Sequence, residues 1–376
     1  VGAPAGGIWK SIDKGASWNP ISDNLPQIGV SGIAIDPTNS EVIYIATGDD
    51  DNFDTSSAGV FKSIDGGDNW NETGLNPGNT PSSMNDIYIH PNDHNILFVA
   101  TNNGLYKSVD QADSWTRILN GNIKDVKLKP GDPNTVYAVT NDKFHKSVDG
   151  GSSFVQISTG LPETSGRMVI DITPANSNYL YVLSAKTDFS FQGLYRSTDS
   201  GETFTKTTET NNIFESDQAW FDLALAVSDT NVNEVYVGCL NIWKSTNAGN
   251  SISRLNNWAI HNQAFTHAEI HFLRFFNGEL FAGTDGGFYK SEDKGITFQD
   301  YTQGLQISQF YKVSVAKFNA SKIVGGTQDN GGIGLTNSEA WNNYHSGDGM
   351  DNAINPINVN QYFGFSQLGG FLNVSN

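Results

Sequence analysis

Apolar and polar residues alternate over short stretches of this chain, and turn-forming residues separate the stretches. Residues 32–37 are GIAIDP, residues 42–48 are VIYIATG, and residues 59–65 are GVFKSID. A period of two and an excess of β-branched residues are typical of strands, whereas Gly, Pro, Asn and Asp mark turns. No segment sustains a 3.6-residue apolar period. The pattern therefore predicts an all-β protein built from units of four short antiparallel strands.

A nine-residue phrase, KSIDKGASW at its first occurrence, occurs seven times with variations. Its serines are Ser11, Ser63, Ser108, Ser147, Ser197, Ser245 and Ser291. Spacings of 39 to 52 residues predict one supersecondary unit repeated in space, and four strands of this total length are typical of a β-propeller blade. The predicted blades are residues 1–25 (partial), 30–76, 84–120, 122–160, 166–208, 219–257, 266–305, 311–349 and 350–376 (partial).

The repeated phrase joins the third strand of each blade to the fourth, and its residues are those of a turn. An aspartate or a serine can accept hydrogen bonds from its own turn, and glycine permits the positive φ that such a hairpin needs. Because identical residues in every blade cannot build one asymmetric site, we predict that the acidic position is structural. Its occupants are Asp13, Asp65, Asp110, Asp149, Asp199, Asn247 and Asp293. The pattern is broken where Ala112 replaces the glycine, Asn247 the aspartate and Ile252 the aromatic residue.

The phrase Ser-x-Asp-x-Gly-x-Ser/Thr/Asn-aromatic resembles the Asp-box, or bacterial neuraminidase, repeat. This resemblance implies a fragment of one of two architectures. One is a ring of about ten blades, as in the Vps10 domain of sortilin, and the other is a pair of tandem seven-bladed propellers, as in glycoside hydrolase family 74. A complete, self-closed seven-bladed ring fits less well, because it leaves strands unaccounted for.

The formal net charge of −18 argues against binding to nucleic acid or to an anionic membrane through a broad basic face. The one cysteine, Cys239, lies in an apolar strand context, which predicts a buried thiol and excludes a disulfide within the chain. An acidic, lysine-poor, Asn- and Gly-rich sequence suits a secreted or cell-surface bacterial protein. The ends of the sequence fall within blades, so we expect it to be a piece of a longer polypeptide.

Function is expected in the loops at the end of each blade opposite the Asp-boxes, because these loops differ from blade to blade. The segment HAEIH is the most specific of them. On a strand, His267, Glu269 and His271 would share one face. Such a set can coordinate zinc or another divalent cation, or act as general acid and base. The alternative is a buried, hydrogen-bonded polar cluster between neighbouring blades.

The segment GDDDNFDT, residues 48–55, is a second candidate. Its oxygen ligands include Asp49, Asp51 and Asp54, and such a cluster can hold calcium. The segment is not an EF-hand, because Val60 stands where the twelfth-position glutamate is needed. A solvated acidic loop is the alternative, and the sequence requires no cofactor.

The charged residues bear on whether the protein is an enzyme. Sialidases share the Asp-box but hold a substrate carboxylate with three arginines, and only Arg167 and Arg274 of this chain begin or occupy inner strands. A hydrolase of the xyloglucanase type needs two carboxylates across a cleft. The candidate catalytic carboxylates are Asp285, Asp329, Asp348 and Asp351, and a single shared patch would combine His267 with the first three of them.

HAEIH, GTDGG, GGTQDNGG and GDGM resemble segments of the large Asp-box proteins exported by type IX secretion, in which His-x-Asp-x-His is usual, so that Glu269 departs from the pattern. The resemblance implies an extracellular module. We therefore predict first a binding or adhesion module whose partners are other domains of the same polypeptide, a protein or glycan ligand, or a second copy, without nucleic-acid binding or membrane insertion. A polysaccharide-active glycoside hydrolase is the second prediction. Trp220 and Phe221 are available for stacking on sugars.

Overall fold

The computed structural model describes residues 1–49, 51, 55–76, 78–337 and 340–375. These residues form nine antiparallel sheets, seven of four strands and two of three, and within each sheet the strands lie in sequence order. Among the described residues, one short 3-10 helix, Gln367–Gly369, is the only helix. The all-β prediction and the β-propeller fold class are confirmed. The chain divides into two compact units, Val1–Leu305 and Gln306–Asn376.

The first unit contains seven sheets, named here blades 1 to 7. Blade 1 comprises β1 (Gly2–Ala3), β2 (Gly7–Lys10) and β3 (Asn19–Pro20). Blade 2 comprises β4 (Val30–Asp36), β5 (Asn39–Thr47), β6 (Val60–Ser63) and β7 (Asn71–Glu72). Blade 3 comprises β8 (Met84–Ile89), β9 (Leu97–Thr101), β10 (Gly104–Ser108) and β11 (Thr116–Asn120). Blade 4 comprises β12 (Asp125–Leu128), β13 (Val136–Val139), β14 (Phe144–Ser147) and β15 (Val155–Ile157).

The remaining blades of the first unit repeat the same plan. Blade 5 comprises β16 (Arg167–Ile172), β17 (Leu180–Ala185), β18 (Phe191–Ser197) and β19 (Thr205–Lys206). Blade 6 comprises β20 (Ala224–Val227), β21 (Val235–Gly238), β22 (Ile242–Ser245) and β23 (Ser253–Arg254). Blade 7 comprises β24 (Ile270–Phe276), β25 (Glu279–Thr284), β26 (Gly287–Ser291) and β27 (Gln299–Asp300).

The second unit contains two sheets. Blade 8 comprises β28 (Phe310–Ala316), β29 (Asn319–Thr327), β30 (Gly331–Asn337) and β31 (Ala340–His345). Blade 9 comprises β32 (Asn352–Ile354), β33 (Tyr362–Phe365) and β34 (Leu372–Ser375).

The core of the first unit lies between its blades. The second strands β9, β13, β17 and β21 are buried along their whole length, with sequences such as VYAV and LYVLSA. A strand covered on both faces has no solvent side, so it carries a continuous apolar run instead of an alternating one. The outer strands β3, β7, β19 and β23 are two residues long and exposed. Burial therefore decreases from the inner part of each blade to its outer edge.

Several neighbouring blades are joined by the lysine that precedes an Asp-box serine. Lys10 of blade 1 donates from Nζ to the carbonyl of Gly66 in the blade 2 box (2.7 Å), and Lys107 makes the same bond to Gly150 of blade 4 (2.7 Å). Lys244 repeats it on blade 7 (3.0 Å). The Asp-boxes of blades 2, 4 and 7 therefore dock on the blade before them in the sequence, through a lysine ammonium that donates to a backbone carbonyl.

Blade 1 packs against blade 7 through residues of its own Asp-box. The Trp18 indole donates from Nε1 to the carbonyl of Tyr301 (2.8 Å), and its ring meets the edge of Phe288 at 6.2 Å between centroids. Gly15 lies so close to the Tyr301 ring that a Cβ would come within 2.4 Å of it. These contacts close the first unit as a ring of seven blades. They favour a seven-bladed ring, as in the alternative of two tandem propellers, over a single ring of about ten blades.

Inner-strand side chains meet in the channel of this ring. Tyr88 of blade 3 accepts hydrogen bonds at Oη from Lys127 of blade 4 (2.8 Å) and from Arg274 of blade 7 (3.2 Å). Asp125 and Asp171 each accept the backbone N–H of the next blade's inner strand, at 2.9 and 2.7 Å. Burial raises the pKa of the Asp171 carboxyl to about 6. The channel is therefore crossed by contacts between blades that are not neighbours in sequence.

Candidate functional site

The seven Asp-boxes share one hydrogen-bonding pattern. In each box the serine hydroxyl donates to the acidic or amide side chain two residues later, at 2.7–2.9 Å. The same side-chain oxygen accepts the backbone N–H of the residue four positions further on, at 2.8–3.0 Å. The two residues that follow the acid have positive φ in every box, between 60° and 98°. Each box is a hairpin turn tied by its own side chains.

The irregular boxes keep this geometry. Ala112 adopts φ 76° in the glycine position, and its N–H still donates to Ser108 Oγ at 2.9 Å. Asn247 uses Oδ1 to accept the backbone N–H of Ser251 (2.9 Å), and it donates from Nδ2 to the Ser251 hydroxyl (3.0 Å). Ile252 is buried in a core cluster, as an aromatic residue would be. The pattern therefore depends on the acceptor oxygen and the backbone conformation more than on the charge.

At the opposite end of blade 7, Asp285 lies in the turn between β25 and β26. Its Oδ1 is 2.6 Å from Nε2 of His271, and both side chains remain about a quarter exposed, at 22% and 26%. Burial opposes ionisation of Asp285, but the hydrogen bond and charge of His271 outweigh it and hold the pKa of the carboxyl below its usual range. A hydrogen bond with the Glu269 side chain acts in the same direction. Asp285 is therefore an ionised, solvent-accessible carboxylate.

The pKa of the His271 imidazole is shifted in the opposite direction, upward. Burial lowers its pKa, but the hydrogen bond and charge of Asp285, followed by the charges of Asp51 and Asp222, outweigh burial and raise it. Its ring also meets the edge of Phe221, with 4.6 Å between centroids. Asp285 and His271 form a charge-assisted pair at the mouth of the site.

The strand expected for HAEIH starts later than the sequence pattern suggested. β24 begins at Ile270, its pairing with β25 is shifted between Ile270 and Phe272, and Glu269 has a φ of 65°. The expectation that three side chains alternate along one strand is therefore wrong, because a left-handed residue and a bulge replace the regular pleat. The bulge still turns His271 towards Asp285.

His267 is held beside this turn by a close approach to Gly286. A Cβ at Gly286 would lie 2.2 Å from the His267 ring, so only glycine fits there. His267 Nδ1 lies 3.2 Å from the carbonyl oxygen of Ala268. Its charge contributes to the low pKa of Asp285. The sequence GTDGG thus serves a tight turn whose glycine admits an imidazole.

A buried hydrogen-bond network lies next to the Asp285–His271 pair and is linked to it through Glu269. Gln218 donates from Nε2 to Glu269 Oε1 (3.0 Å) and to Asp222 Oδ2 (3.2 Å). Asp222 is fully buried, and burial raises its pKa to about 6. Cys239 is free and buried, donates from Sγ to Asp222 Oδ1 (3.3 Å), and has a pKa raised by burial. The buried thiol predicted from the sequence is present.

Arg167 joins two loops at the rim of the site. Its Nη1 donates to the carbonyls of Trp220 (2.8 Å) and Phe221 (3.1 Å), and its Nη2 lies 2.9 Å from Asp51 Oδ1. Trp220 and Phe221 pack on each other with 5.5 Å between centroids, and Trp220 is 43% exposed. The exposed indole is therefore linked to the His271–Asp285 pair through the Phe221 ring.

The acidic segment of blade 2 is used internally where the structure describes it. The Asp49 carboxylate accepts the backbone N–H of Asp51 (2.9 Å), and Asp51 pairs with Arg167. Asp54 lies outside the described residues. A calcium site in this segment stays a prediction.

The other three candidate carboxylates lie in the second unit. Asp348 Oδ1 accepts the backbone N–H of Asp329 (2.9 Å), and Asp329 has a φ of 55°. Asp351 accepts its neighbour's backbone N–H, that of Asn352 (3.0 Å). The structure thus brings Asp329 and Asp348 together in one unit, and Asp285 and His267 together in the other. A patch shared by all four stays a prediction.

Gln218 and Asp222 were not among the predicted site residues. Both lie in the segment before β20, and their partners are 51 and 17 residues further along the chain. One sequence feature could have identified Asp222 as a buried polar residue: it directly precedes Leu223 and the apolar run of β20. Such an acid must be paired or neutral if it is buried.

The repeated turns and the blades define this protein as an Asp-box β-propeller. A scan against models of known protein families finds no match. A stretch of 126 residues is 31% identical to a xyloglucanase of Paenibacillus sp., and it covers 30% of this chain but only 12% of that enzyme. The curated relative is therefore much longer than the part that this chain matches.

Among solved structures, a GH74 enzyme of Niastella koreensis matches 99% of this chain and 70% of its own, with a TM-score of 0.64 and 19% identity. PorZ of Porphyromonas gingivalis, a bacterial surface component of the type-IX secretion system, matches 93% of this chain and 45% of its own, with a TM-score of 0.55 and 12% identity. These similarities establish the fold as a β-propeller like that of the GH74 enzyme. Within the described part of the chain, no helix has the length and apolar character needed to cross a membrane.

Proposed function

We propose that this chain is the propeller part of a polysaccharide-active glycoside hydrolase of the xyloglucanase type, with Asp285 as one catalytic carboxylate. The observation that carries the proposal is the Asp285–His271 pair: an ionised, accessible carboxylate whose imidazole partner packs on Phe221 next to an exposed indole, in a chain whose sequence matches a xyloglucanase over 126 residues. This places the enzyme ahead of the binding module that the sequence favoured.

The proposed chemistry follows from the state of Asp285. Glycoside hydrolysis uses two carboxyl groups, one protonated to assist the leaving group and one ionised to activate water or attack the sugar. A carboxyl whose pKa is held low by an imidazolium suits the ionised role. Asp222 is unsuited to contact a substrate, because it is fully buried. The second carboxyl group is sought by substitution of the other carboxylates predicted from the sequence, Asp329, Asp348 and Asp351.

The test uses the full-length protein with xyloglucan, other β-glucans and sialosides. We expect release of oligosaccharides from xyloglucan by the wild type and not by Asp285→Asn. Asp329→Asn, Asp348→Asn and Asp351→Asn identify the second carboxyl group by a comparable loss. Binding of xyloglucan without any product would instead support a glycan-binding module, and neither binding nor release from any substrate would overturn both.

We propose an extracellular location for the protein. Its support is the acidic composition, with a net charge of −18, and the description of the structural relative PorZ as a bacterial surface component. Protease accessibility of the protein on intact cells, or its recovery from culture medium, tests this location, and recovery in the cytoplasm alone would overturn it.

A further inference from the structure

We propose that Arg167 is a positioning residue that assembles the aromatic wall of the site, by clasping the loop that carries Trp220 and Phe221 to the loop that carries Asp51. The contacts of Arg167 are independent of any activity, whereas their effect on the binding of a glycan rests on the proposed function.

The geometry of Arg167 is that of a clasp. Its side chain is only 9% exposed, although it is charged. One guanidinium nitrogen donates to two successive carbonyls, those of Trp220 and Phe221, and another pairs with Asp51 on a separate loop. A planar guanidinium can serve acceptors on two sides at once, which a lysine ammonium on a flexible stem does less well. A buried cation is retained only when it is paired and hydrogen-bonded in this manner.

The clasp connects to the reactive carboxylate through a short series of contacts. Trp220 packs on Phe221, Phe221 meets the His271 ring at 4.6 Å, and His271 lies 2.6 Å from Asp285. Fixing the two carbonyls therefore fixes the ring that borders the imidazole. The free face of Trp220 offers an apolar surface of the kind that packs on the C–H face of a pyranose ring. A site of this kind suits a neutral glycan better than an anionic one, because its accessible groups include the ionised carboxylate of Asp285.

Arg167 also sets the charge around His271. The charged groups that face this imidazole are Asp285, Asp51 and Asp222, and Glu269 is bonded to Asp285. Arg167 neutralises Asp51. Replacing Arg167 by a neutral residue leaves the Asp51 charge uncompensated, so the pKa of His271 should rise further.

The test compares Arg167→Met and Arg167→Lys with the matched controls Arg254→Met and Arg254→Lys. Arg254 is a suitable control, because it pairs with Glu215 at 2.8 Å on the exposed outer strand of blade 6. The structural readouts are acrylamide quenching of Trp220, isolated by subtraction of a Trp220→Phe background, and the NMR titration of His271. The functional readouts are KM and kcat on a xyloglucan oligosaccharide.

For Arg167→Met we expect at least twofold stronger quenching of Trp220, an upward shift of the His271 titration, and a KM raised about tenfold with kcat changed less than threefold. Arg167→Lys should show intermediate values, and the Arg254 variants should match the wild type. If Arg167→Met does not fold, Arg167→Lys carries the comparison, and Asp51→Asn should also strengthen the quenching of Trp220 but shift the His271 titration downward, because it removes a negative charge.

Three outcomes decide the proposal. Unchanged quenching and an unchanged His271 titration would overturn the clasp. Changes in Trp220 quenching and in the His271 titration with an unaltered KM would overturn the role of the aromatic wall in binding a glycan. If the wild type hydrolyses nothing, the proposed function fails, but the two structural readouts still support or overturn the clasp.

Discussion

Strand β26, Gly287–Ser291, has an aspartate beyond each end, and the two have opposite roles. Asp293 bonds only within its own turn, to Ser291 and Thr297. Asp285 bonds to His271, 14 residues earlier, and to Glu269. A side chain satisfied by its own turn can be repeated in every blade, whereas one satisfied by distant partners is unique. The difference between scaffold and site is therefore a difference in the range of hydrogen bonding.

The largest expected effect concerns Asp285. Asp285→Asn removes the charge and keeps the shape, so hydrolysis should fall by about 100- to 10,000-fold, the range typical for a group that transfers protons. The melting temperature should stay close to that of the wild type. Initial rates on xyloglucan and a thermal scan measure both quantities.

The matched control is Asp293→Asn, at the other end of the same strand. It should retain full activity, since Asn247 already occupies the corresponding position in blade 6. Equal losses of activity in the two variants would contradict the division between scaffold and site.

The second effect is on stability. Asp293→Ala should lower the free energy of unfolding by about 1–3 kcal/mol, because the backbone N–H of Thr297 and two hydroxyls lose their acceptor. Denaturant titration of both variants measures the change. Asp293→Asn should cost distinctly less than Asp293→Ala, and equal costs would show that the charge, not the acceptor oxygen, holds the turn.

The third effect tests the glycine position. Gly151→Ala should cost about 1–3 kcal/mol, since its Cβ would lie 2.8 Å from Ile118 Cδ1 in a residue whose φ is 85°. Ala112→Gly, at the same position of another box, should change stability by less than about 1 kcal/mol. There the relief of φ 76° offsets the loss of a buried methyl group. Denaturation midpoints of the two single variants decide this, and a clear gain in stability from Gly151→Ala would contradict it.

The smallest effect is on acid stability. Burial opposes ionisation of Asp199, but hydrogen bonds from Thr203 and Ser197 outweigh it and lower its pKa to about 2. A lowered pKa adds stability above the unfolded value of about 3.9, and that stability is lost as pH falls towards 2. Asp199→Asn should therefore show a flatter melting temperature between pH 4 and pH 2 than the wild type. The difference is small, because solvent screens an exposed carboxylate. Identical profiles would show that Asp199 is not linked to folding.

The blades were predictable because their signals are local. The period of the boxes, the alternation of apolar residues and the turn chemistry all act within about ten residues, and the seven boxes follow them even at Ala112 and Asn247. The start of β24 was not predictable in this way. The sequence HAEIH alternates like a strand, but Glu269 takes a left-handed conformation, and its side chain bonds to Gln218, 51 residues earlier.

The site was predictable only in part, for the same reason. Asp285 and His271 stood out as polar residues that break the repeat. Nothing local indicated that they would pair, or that Arg167 would reach carbonyls more than 50 residues away. The closure of the ring by Trp18 and Tyr301 spans 283 residues and had no local signal either.

Lys127 and Arg274 both donate to the Tyr88 hydroxyl, so blades of the first unit are joined across the channel as well as along their edges. A strip of blades held only edge to edge would unroll once a single seam parted. Here, blades 3, 4 and 7 stay joined by the Tyr88 contacts whichever interface between neighbouring blades opens first. A protease cut in one connecting loop should therefore leave a nicked but assembled protein, whose two pieces travel together until a denaturant releases them.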